Sequence, residues 1–543
     1  MSGEMLWYGW GEPAEQVHLP AVAEEMLRSE LGADGAPTPS VALDEVRLPE
    51  GPGLPAATAE RLVHAVGASN VLTDRVSLVR HAAGRSYPDL VRLRSGDAGG
   101  APDAVVLPGS HEEVGEVLAI CSAEGAAVIP FGGGTSVVGG VEALRGSFES
   151  AVALDLRRLD GLVVDRESLL ATFGAGLTGP RAEELLNEQG LTLGHFPQSY
   201  EYATIGGYVA TRSAGQASTG YGRVDELVRG LRMATPAGEL VVKPVPASAA
   251  GPSLLGLAVG SEGAFGVITD ATLMVRPGPE RRSYEGWSFK SFEDGCAAFR
   301  TMEQAHASPD VARLSDEEET RLALVMSSSE SAAQRVGMAY LRARGHGGGC
   351  IAIVGWEGTD AEVRRRRSWT RGFLRRGGGV PLGSRPGEAW LRNRYLGPYQ
   401  RDMLLDRGIA VETLETATTW SRLAGLHDAV RAALSAALSG RGTPPLVTCH
   451  VSHLYPSGAS LYFTWIARRE IGAELDQWRA AKQAAGDAIV ENGGTITHHH
   501  AIGRDHVPWM RAEVGDVGVE ALRAVKERLD PNGVMNPGKL LPE

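Results

Sequence analysis

Three glycine-rich segments in the first half of the chain constrain its fold more than any other feature. They are residues 130–136 (PFGGGTS), 204–215 (TIGGYVATRSAG) and 260–269 (GSEGAFGVIT). Consecutive glycines let the backbone approach a ligand without interference from Cβ atoms. Successive amides in such a turn form a concavity for anionic oxygens, to which the hydroxyls of Thr135 and Ser136 add donors. A single triple glycine is equally consistent with a tight turn, but three such segments predict one long ligand that contains a pyrophosphate.

Two common phosphate-binding loops are excluded by their spacing. The chain contains no G-x-x-x-x-G-K-[ST] segment. It also has no G-x-G-x-x-G that opens a helix and is followed by an acidic residue after the next strand. Neither a P-loop nor a Rossmann dinucleotide site is therefore predicted.

The order of predicted elements divides the chain into four parts. Residues 1–100 predict helices separated by Pro and Gly breaks, and residues 101–279 predict strands, helices and glycine loops, with a hairpin around Pro236. Residues 280–505 alternate helices and strands with little glycine-loop character, as in a cap domain. Residues 506–543 predict a helix, a turn rich in Pro, Asn and Gly, and a short extended end that returns to the second part.

Composition restricts the classes of partner and compartment. A chain of 543 residues predicts two or three domains. Its net charge of −13 argues against a nucleic-acid surface, which needs clustered Lys and Arg. Four cysteines without a C-x-x-C pair suggest neither a disulfide framework nor structural zinc. No run of 18 apolar residues and no leader-like apolar region occur. We therefore expect a cytoplasmic protein with at most peripheral membrane contact.

Three consecutive histidines, His498, His499 and His500, follow the segment NGGTIT near the end of the cap. We predict an extended backbone here, so that adjacent imidazoles alternate in direction and at most two share a face. A metal site needs convergent ligands, and no H-E-x-x-H or H-x-G-D-G-x-x-H motif accompanies them. The sequence therefore favours acid–base chemistry and no metal, with a histidine run of no special role as the alternative.

The glycine segments resemble those of the FAD-binding oxidases of the vanillyl-alcohol oxidase superfamily. This resemblance implies an α+β fold, with a two-subdomain FAD-binding domain and an α/β cap domain. In it the first segment binds the pyrophosphate and the other two enclose the ribityl chain and isoalloxazine. The residues assigned to the cofactor in this way are Pro130, Gly132, Gly133, Gly134, Thr135, Ser136, Pro197, Ser199, Thr204, Gly206, Gly207, Ser213, Glu262, Gly263, Gly266, Val267 and Ile268. Glu262 is equally plausible as a turn carboxylate. Because the first segment contains no His or Cys, we expect non-covalent FAD.

Further motifs resemble the alkyldihydroxyacetonephosphate synthase family over nearly the whole chain. They include WYGWGEP, HFPQSYEYATIGGYVATRSAG, PYQRDMLL, CHVSHLYPSGASLYF and NGGTITHHHAIG. The last three lie in or near the predicted cap, so they are more specific than the FAD loops. Departures from the family are the continuation VVGGV after the first loop and the divergent region 315–371, which affects the cap and hence the substrate.

The resemblance implies a role for each candidate catalytic residue. Tyr462 is the general base, with the triple histidine beside the flavin and His500 or a neighbour carrying protons. Arg401 contacts the substrate, and Arg313 belongs to the active-site network; a guanidinium fork suits phosphate or carboxylate. A base tyrosine needs a lowered pKa, which we expect from protonated His or Arg neighbours. Without the resemblance, Tyr462 reads as a packing aromatic and the arginines as ordinary ion-pair residues.

The implied reaction exchanges the acyl chain of acyl-dihydroxyacetone phosphate for a fatty alcohol through a flavin N5 adduct, forming an ether bond. The alternative is an FAD-dependent dehydrogenase or oxidase of a 2-hydroxy acid or a related alcohol, in which Arg401 binds the carboxylate. A flavin-holding protein without catalysis would leave Tyr462 and the histidines without a role. The expected partners are a small-molecule or lipid-like substrate and a second copy of the chain in a homodimer.

Overall fold

The computed structural model describes residues 4–12, 19–33, 37–326 and 332–542. In its described residues, the amino-terminal part contains four α-helices and one short strand that joins the following sheet. These elements are α1 (Ala21–Leu31), α2 (Ala56–Val66), β1 (Val71–Leu72), α3 (Arg75–Arg80) and α4 (Tyr87–Arg94).

A four-stranded sheet carries the first glycine segment. Its remaining strands and its helix are β2 (Ala104–Val106), α5 (His111–Glu124), β3 (Ala126–Phe131) and β4 (Ser150–Asp155). The strand order is β1-β2-β4-β3, in which β2, β4 and β3 are parallel and β1 is antiparallel. The Ser110 hydroxyl accepts the Glu113 amide at the start of α5, and Gly125 ends the helix with a φ of 67°. The first glycine segment therefore follows a fully paired parallel strand.

A five-stranded antiparallel sheet forms the second layer and carries the third glycine segment. Its elements and the helices between them are β5 (Leu162–Asp165), β6 (Leu170–Gly174), α6 (Gly179–Asn187), β7 (Leu191–Thr192), α7 (Ile205–Thr211), α8 (Ser218–Tyr221), α9 (Val224–Leu227), β8 (Val228–Thr235), β9 (Gly238–Val242), α10 (Leu254–Ala258), β10 (Val267–Met274) and β11 (Arg276–Pro277). The order is β5-β6-β10-β8-β9, and β7 pairs separately with β11. The predicted hairpin is confirmed, since β8 and β9 pair up to Thr235 and Gly238.

Helix α5 lies between these two sheets. Its residues Val117 and Cys121 share one buried cluster with Val128 of the first sheet and with Ala234 and Val267 of the second. The two sheets and this helix therefore form one packed unit around the glycine segments.

The cap is built on a seven-stranded antiparallel sheet. Its elements are β12 (Arg281–Phe289), α11 (Phe292–Gln304), β13 (Val311–Ser315), α12 (Glu317–Met326), α13 (Ala332–Ala343), β14 (Cys350–Gly358), α14 (Asp360–Arg376), β15 (Val380–Gly383), α15 (Arg385–Asn393), α16 (Gly397–Leu405), β16 (Ile409–Thr419), α17 (Leu423–Gly440), β17 (Leu446–Tyr455), β18 (Gly458–Arg468) and α18 (Glu474–Glu491). The strand order is β15-β12-β14-β13-β17-β18-β16.

One face of the cap sheet is covered by α11, α17 and α18, and part of the other face meets the glycine-loop unit. Leu461, Phe463 and Trp465 of β18 pack with residues of α17 and α18 in the largest buried cluster. Because side chains alternate along a strand, Tyr462 projects from the opposite face. That face meets the glycine-loop unit, as the contact between His453 of β17 and Ser218 of α8 shows.

The carboxyl-terminal part consists of α19 (Met510–Leu529) and a tail that runs back to the first sheet. Val128 of β3 donates its amide to Val534 and accepts the amide of Asn536, each over 2.8 Å. Lys539 donates to the carbonyl of Glu142, and Leu540 donates to that of Gly503. Among the described helices, none combines the length and hydropathy needed to span a bilayer.

Candidate active site

The first glycine loop packs closely against the second glycine segment. A Cβ on Gly132 would lie 2.4 Å from Thr204 Oγ1, and one on Gly133 would lie 1.9 Å from the carbonyl oxygen of Tyr202. Gly134 has a φ of 65°, in the left-handed region. These positions therefore require glycine because other protein atoms approach them, a side chain at Gly132 and the backbone at Gly133.

The amides of this loop are available to a ligand. None of the backbone N–H groups of residues 132–136 donates a hydrogen bond to another residue that the structure describes. The Ser136 hydroxyl accepts the amide of Gly140 over 3.0 Å, and the Ser136 carbonyl accepts that of Arg85. A row of free amides beside Thr135 fits the pyrophosphate of FAD.

The other two segments meet the first loop and each other. Thr204 caps α7 through the Gly207 amide, and Gly206 lies against Ala175, where a Cβ would be 2.7 Å from the alanine Cβ. A Cβ on Gly263 would lie 2.8 Å from Pro130 Cγ. The three glycine segments thus converge, as the sequence argument predicted.

The remaining predicted cofactor residues flank this convergence. Pro197 and Ser199 lie in the turn before α7, where their carbonyls accept amides of residues 200–203. Ser213 Oγ lies 2.9 Å from His195 Nε2. Gly266 precedes β10, whose Val267 and Ile268 are buried and pair with β8. Buried polar atoms without a hydrogen-bond partner among the described residues include Ser261 Oγ, His195 Nδ1 and Asn536 Oδ1, which fits a polar cofactor here.

Glu262 uses its carboxylate to hold the loop that follows the triple histidine. It accepts the amides of Ile502 over 2.8 Å and Gly503 over 2.6 Å. Burial raises the pKa of its carboxyl group to about 7, against the effect of these two amides. Glu262 therefore connects the FAD-binding unit to the histidine loop.

Tyr462 lies at the centre of an aromatic and histidine cluster on the face of the cap sheet that meets the glycine-loop unit. It pairs in register with Glu415 of β16 and His450 of β17. Its ring stacks on that of His450, with centroids 4.9 Å apart. The ring centroids of His499 and His500 lie 6.0 and 5.5 Å from it. The structure therefore brings Tyr462 and the predicted histidines together.

A β-bulge brings two further residues onto this face. The register of β17 on β18 shifts by one residue between Val451 and Leu454. The extra residue reverses the alternation, so that His453 and Tyr455 project on the same side as His450. Val451 and Leu454 accordingly both lie in the core beneath the sheet.

The expected lowering of the Tyr462 pKa is wrong. Burial raises that pKa to about 12, and the nearby carboxylates Glu415 and Glu412 raise it further. The Thr413 hydroxyl and the Arg313 charge act in the opposite direction but are outweighed. The expected cationic histidines are also missing, because burial lowers the pKa of His499, and that of His500 to about 3.

The predicted extended backbone of the triple histidine is also wrong. The amides of His498, His499 and His500 all donate to the Glu415 carboxylate, over 2.6, 3.0 and 2.9 Å. The Thr497 hydroxyl donates to it over 2.6 Å. Three successive amides can reach one carboxylate only from a turn. The imidazoles therefore do not alternate, and all three surround the same region.

Glu415 is the buried charge that holds this turn. Burial alone would raise its pKa, but the surrounding histidines and the Thr497 hydroxyl hold that pKa well below the usual range. Burial lowers the pKa of His498 and His453 well below the usual range as well. The cluster thus contains neutral imidazoles around an ionised carboxylate.

Tyr455 joins the cluster through His498. Its Oη lies 2.6 Å from His498 Nε2, and burial raises its pKa to about 12 against the charge of Arg223. His498 Nδ1 lies 2.9 Å from His499 Nδ1, which also lies 3.4 Å from a carboxylate oxygen of Glu415. Tyr455, His498 and His499 therefore form a chain of polar contacts that ends at Glu415.

Arg313 reaches Tyr462 through His450. Its Nη1 lies 2.9 Å from His450 Nε2, and its Nη2 donates to Glu319 over 2.7 Å. Charge from Arg313 and His450 overcomes burial and lowers the pKa of Glu319 to about 2. Arg313 therefore positions the ring that stacks on Tyr462.

Arg401 lies on α16, beside the amino-terminal segment. Its Nη1 donates to the carbonyl of Arg85 over 2.7 Å, and its Nε and Nη2 lie 3.4 and 3.3 Å from Asp402 Oδ1. Two of its five N–H groups remain for a substrate. No hydrogen bond joins it to the histidine cluster among the residues that the structure describes.

Sequence reasoning missed Glu415, His450, His453, Tyr455 and Arg223. The turn in YPSGASLY was a signal for a hairpin, but a regular register from that turn places Val451 opposite Tyr462, so His450 becomes its partner only through the bulge. His453 depends on the bulge, and Glu415 and Arg223 on other elements. Spacing alone therefore could not have identified these last residues.

Comparison with known proteins agrees with this geometry. Residues 102–242 match the family described as FAD binding domain, and residues 278–540 match the C-terminal domain of FAD linked oxidases. The chain is 32% identical to an alkyldihydroxyacetonephosphate synthase of Trypanosoma brucei brucei, over 99% of this chain and 92% of that protein.

Solved structures show the same relationship. A structure of an alkyldihydroxyacetonephosphate synthase superposes with a TM-score of 0.86 at 29% identity, covering 99% of each chain. A 4-ethylphenol oxidase from Gulosibacter chungangensis shares the fold at 16% identity, with a TM-score of 0.68 over 92% of this chain and 99% of that one. The predicted vanillyl-alcohol oxidase type of fold and the predicted FAD cofactor are confirmed. This chain belongs to the alkyldihydroxyacetonephosphate synthase family of FAD-dependent enzymes.

Proposed function

We propose that this enzyme exchanges the acyl chain of acyl-dihydroxyacetone phosphate for a fatty alcohol. In this reaction the bond from the substrate carbon to the acyl oxygen breaks, and a bond from that carbon to the alcohol oxygen forms. The fatty acid leaves, the alcohol loses its proton, and no net oxidation occurs. The name of the Trypanosoma relative supplies the substrate class, and the cap residues supply the chemistry.

The observation that carries the proposal is the position of Tyr462. It lies on the face of the cap sheet that meets the FAD-binding unit, among groups that can carry protons. A transfer that removes a proton from the substrate carbon and later returns one needs such a group beside the cofactor. The flavin, when bound, supplies a ring system that accepts and returns an electron pair.

Side chains of the protein carry out the proton transfers and bind the substrate. Tyr462 moves the proton at the reacting carbon, and because its pKa is raised to about 12 it rests as a phenol. The imidazoles of His499 and His500, whose pKa values are lowered by burial, can accept that phenol proton. The two free N–H groups of Arg401 bind the substrate phosphate.

A substrate screen under anaerobic conditions tests this proposal. We expect acyl-dihydroxyacetone phosphate with a long-chain alcohol to give an ether product without lasting bleaching of the flavin. A panel of 2-hydroxy acids should leave the flavin oxidised. If a 2-hydroxy acid bleaches the flavin and no ether forms, the protein is a dehydrogenase on the same scaffold.

The cytoplasmic location of the protein, its homodimeric state and its peripheral membrane contact remain predictions from the sequence.

A further inference from the structure

Three histidines from two separate elements meet beside the reaction site. His453 comes from β17 after the bulge, and His498 and His499 come from the turn around Glu415. One ring nitrogen from each lies within 4.8 Å of the others. Within the described part of the chain, this is the one group of three His, Cys, Asp or Glu ligand atoms gathered so closely.

The separations are close to those of a metal site. Zinc–nitrogen bonds of about 2.0–2.1 Å in a tetrahedron place ligand nitrogens about 3.3 Å apart. The Nδ1 atoms of His498 and His499 are already 2.9 Å apart, and His453 is the ligand that has to move. The rings of His453 and His498 stack with centroids 5.0 Å apart, so the His453 ring has to tilt as well as approach for both nitrogens to point at one ion.

The opposite nitrogens of two rings are already held by hydrogen-bonding partners. Tyr455 Oη contacts Nε2 of His498, and Ser218 Oγ contacts Nδ1 of His453. Metal-binding histidines almost always use their second nitrogen in this way, which fixes the ring orientation. With Nδ1 directed at Ser218, His453 presents Nε2 to the group, and His499 presents the Nδ1 that faces His498.

We propose that His453, His498 and His499 bind a divalent transition metal, with zinc as the ion that three imidazoles suit. Three protein ligands leave the fourth position for water or a substrate oxygen. Coordination through Nδ1 leaves the His498 proton on Nε2, where the Tyr455 oxygen accepts it. The metal replaces the contact between His498 and His499 and occupies a nitrogen of His499, and it therefore inhibits turnover.

Zinc content measured by mass spectrometry tests the site on the flavin-loaded protein, freed of any purification tag. After incubation with zinc and dialysis, we expect one zinc per wild-type chain. His453→Gln should lose it, and Ser218→Ala should weaken zinc binding by roughly 10- to 100-fold, because it frees the His453 ring. His427→Gln is the matched control, since His427 is similarly buried but outside the group, and it should retain zinc.

Flavin content shows that each variant is folded, and zinc content is independent of substrate. The site proposal is overturned if wild type retains well under one equivalent, or if His453→Gln retains as much as wild type. In the ether-forming assay, zinc should slow wild type and a chelator should restore the rate. Zinc that binds stoichiometrically without slowing turnover would overturn the proposed inhibition. Absence of any ether product would instead count against the proposed reaction and leave the zinc result standing.

Discussion

Tyr462 shows how one residue can be correctly located and yet differ from expectation in its charge state. Its neighbours are the predicted histidines and, through His450, the predicted arginine Arg313. Those histidines are buried and neutral, so they do not stabilise a phenolate. Burial therefore governs the pKa of Tyr462, because desolvation disfavours the charged form of a phenol.

Tyr462→Phe should lower the rate of ether formation by roughly 10²–10⁴-fold, the usual contribution of a general base or acid. FAD should remain bound, since the phenol hydroxyl touches none of the glycine segments. Because the phenolate fraction rises with pH below a pKa of about 12, wild-type kcat/KM should increase with pH while the protein is folded. The variant should lack this increase. A plateau of the wild-type profile near neutral pH would show that a group with a lower pKa sets the rate.

At the scale of elements, the histidine turn is held by two carboxylates from different parts of the fold. Glu415 of the cap strand β16 accepts the amides of the three histidines. Glu262 of the third glycine segment accepts the amides of Ile502 and Gly503 in the loop behind them. The turn is therefore positioned against the cap sheet and the FAD-binding unit together, and a change in either carboxylate should move the imidazoles.

Glu415→Gln should disorder this turn. The amide group keeps the size of the side chain but directs N–H donors at backbone N–H donors, and each buried donor left unpaired costs about 1–3 kcal/mol. We expect a lower thermal unfolding midpoint and a loss of turnover at least as large as that of Tyr462→Phe. Glu412→Gln is the control, since it removes a buried carboxylate from the same strand that binds Trp478 and the Thr413 amide instead. Equal losses in both variants would mean that Glu415 acts only on folding.

At the scale of the molecule, segments that are distant in the sequence meet around the site. Arg85 donates to the carbonyls of Gly9 and Leu6 in the amino-terminal segment, and its own carbonyl accepts from Arg401 of the cap. Trp10 of that segment packs edge-on to Tyr202, whose carbonyl lies against Gly133. The amino terminus, the glycine loop and the cap are thus in one continuous set of contacts.

Acid denaturation of the whole protein should release intact FAD. The first glycine loop contains no His or Cys. His81 lies near it, against Phe131, but its two ring nitrogens contact Asp155 and the Ser77 carbonyl. Flavin in the supernatant after precipitation, with the spectrum and mass of FAD, would agree with non-covalent binding. Flavin that stays with the precipitated polypeptide would contradict it, and peptide mapping would then identify the tether.

The sequence by itself determined the elements that depend on local chemistry. The glycine segments, the β8–β9 hairpin and the alternation that buries Leu461 and Phe463 while presenting Tyr462 follow from residue type and spacing. Only the tertiary structure decided which residues surround the site and what protonation state they have. The turn at His498–His500 forms because Glu415 of another strand binds its amides, and His453 and Tyr455 face the site because of a bulge. The pKa of Tyr462 depends on burial between two domains. These properties come from desolvation and from contacts between different elements, which spacing along a chain does not encode.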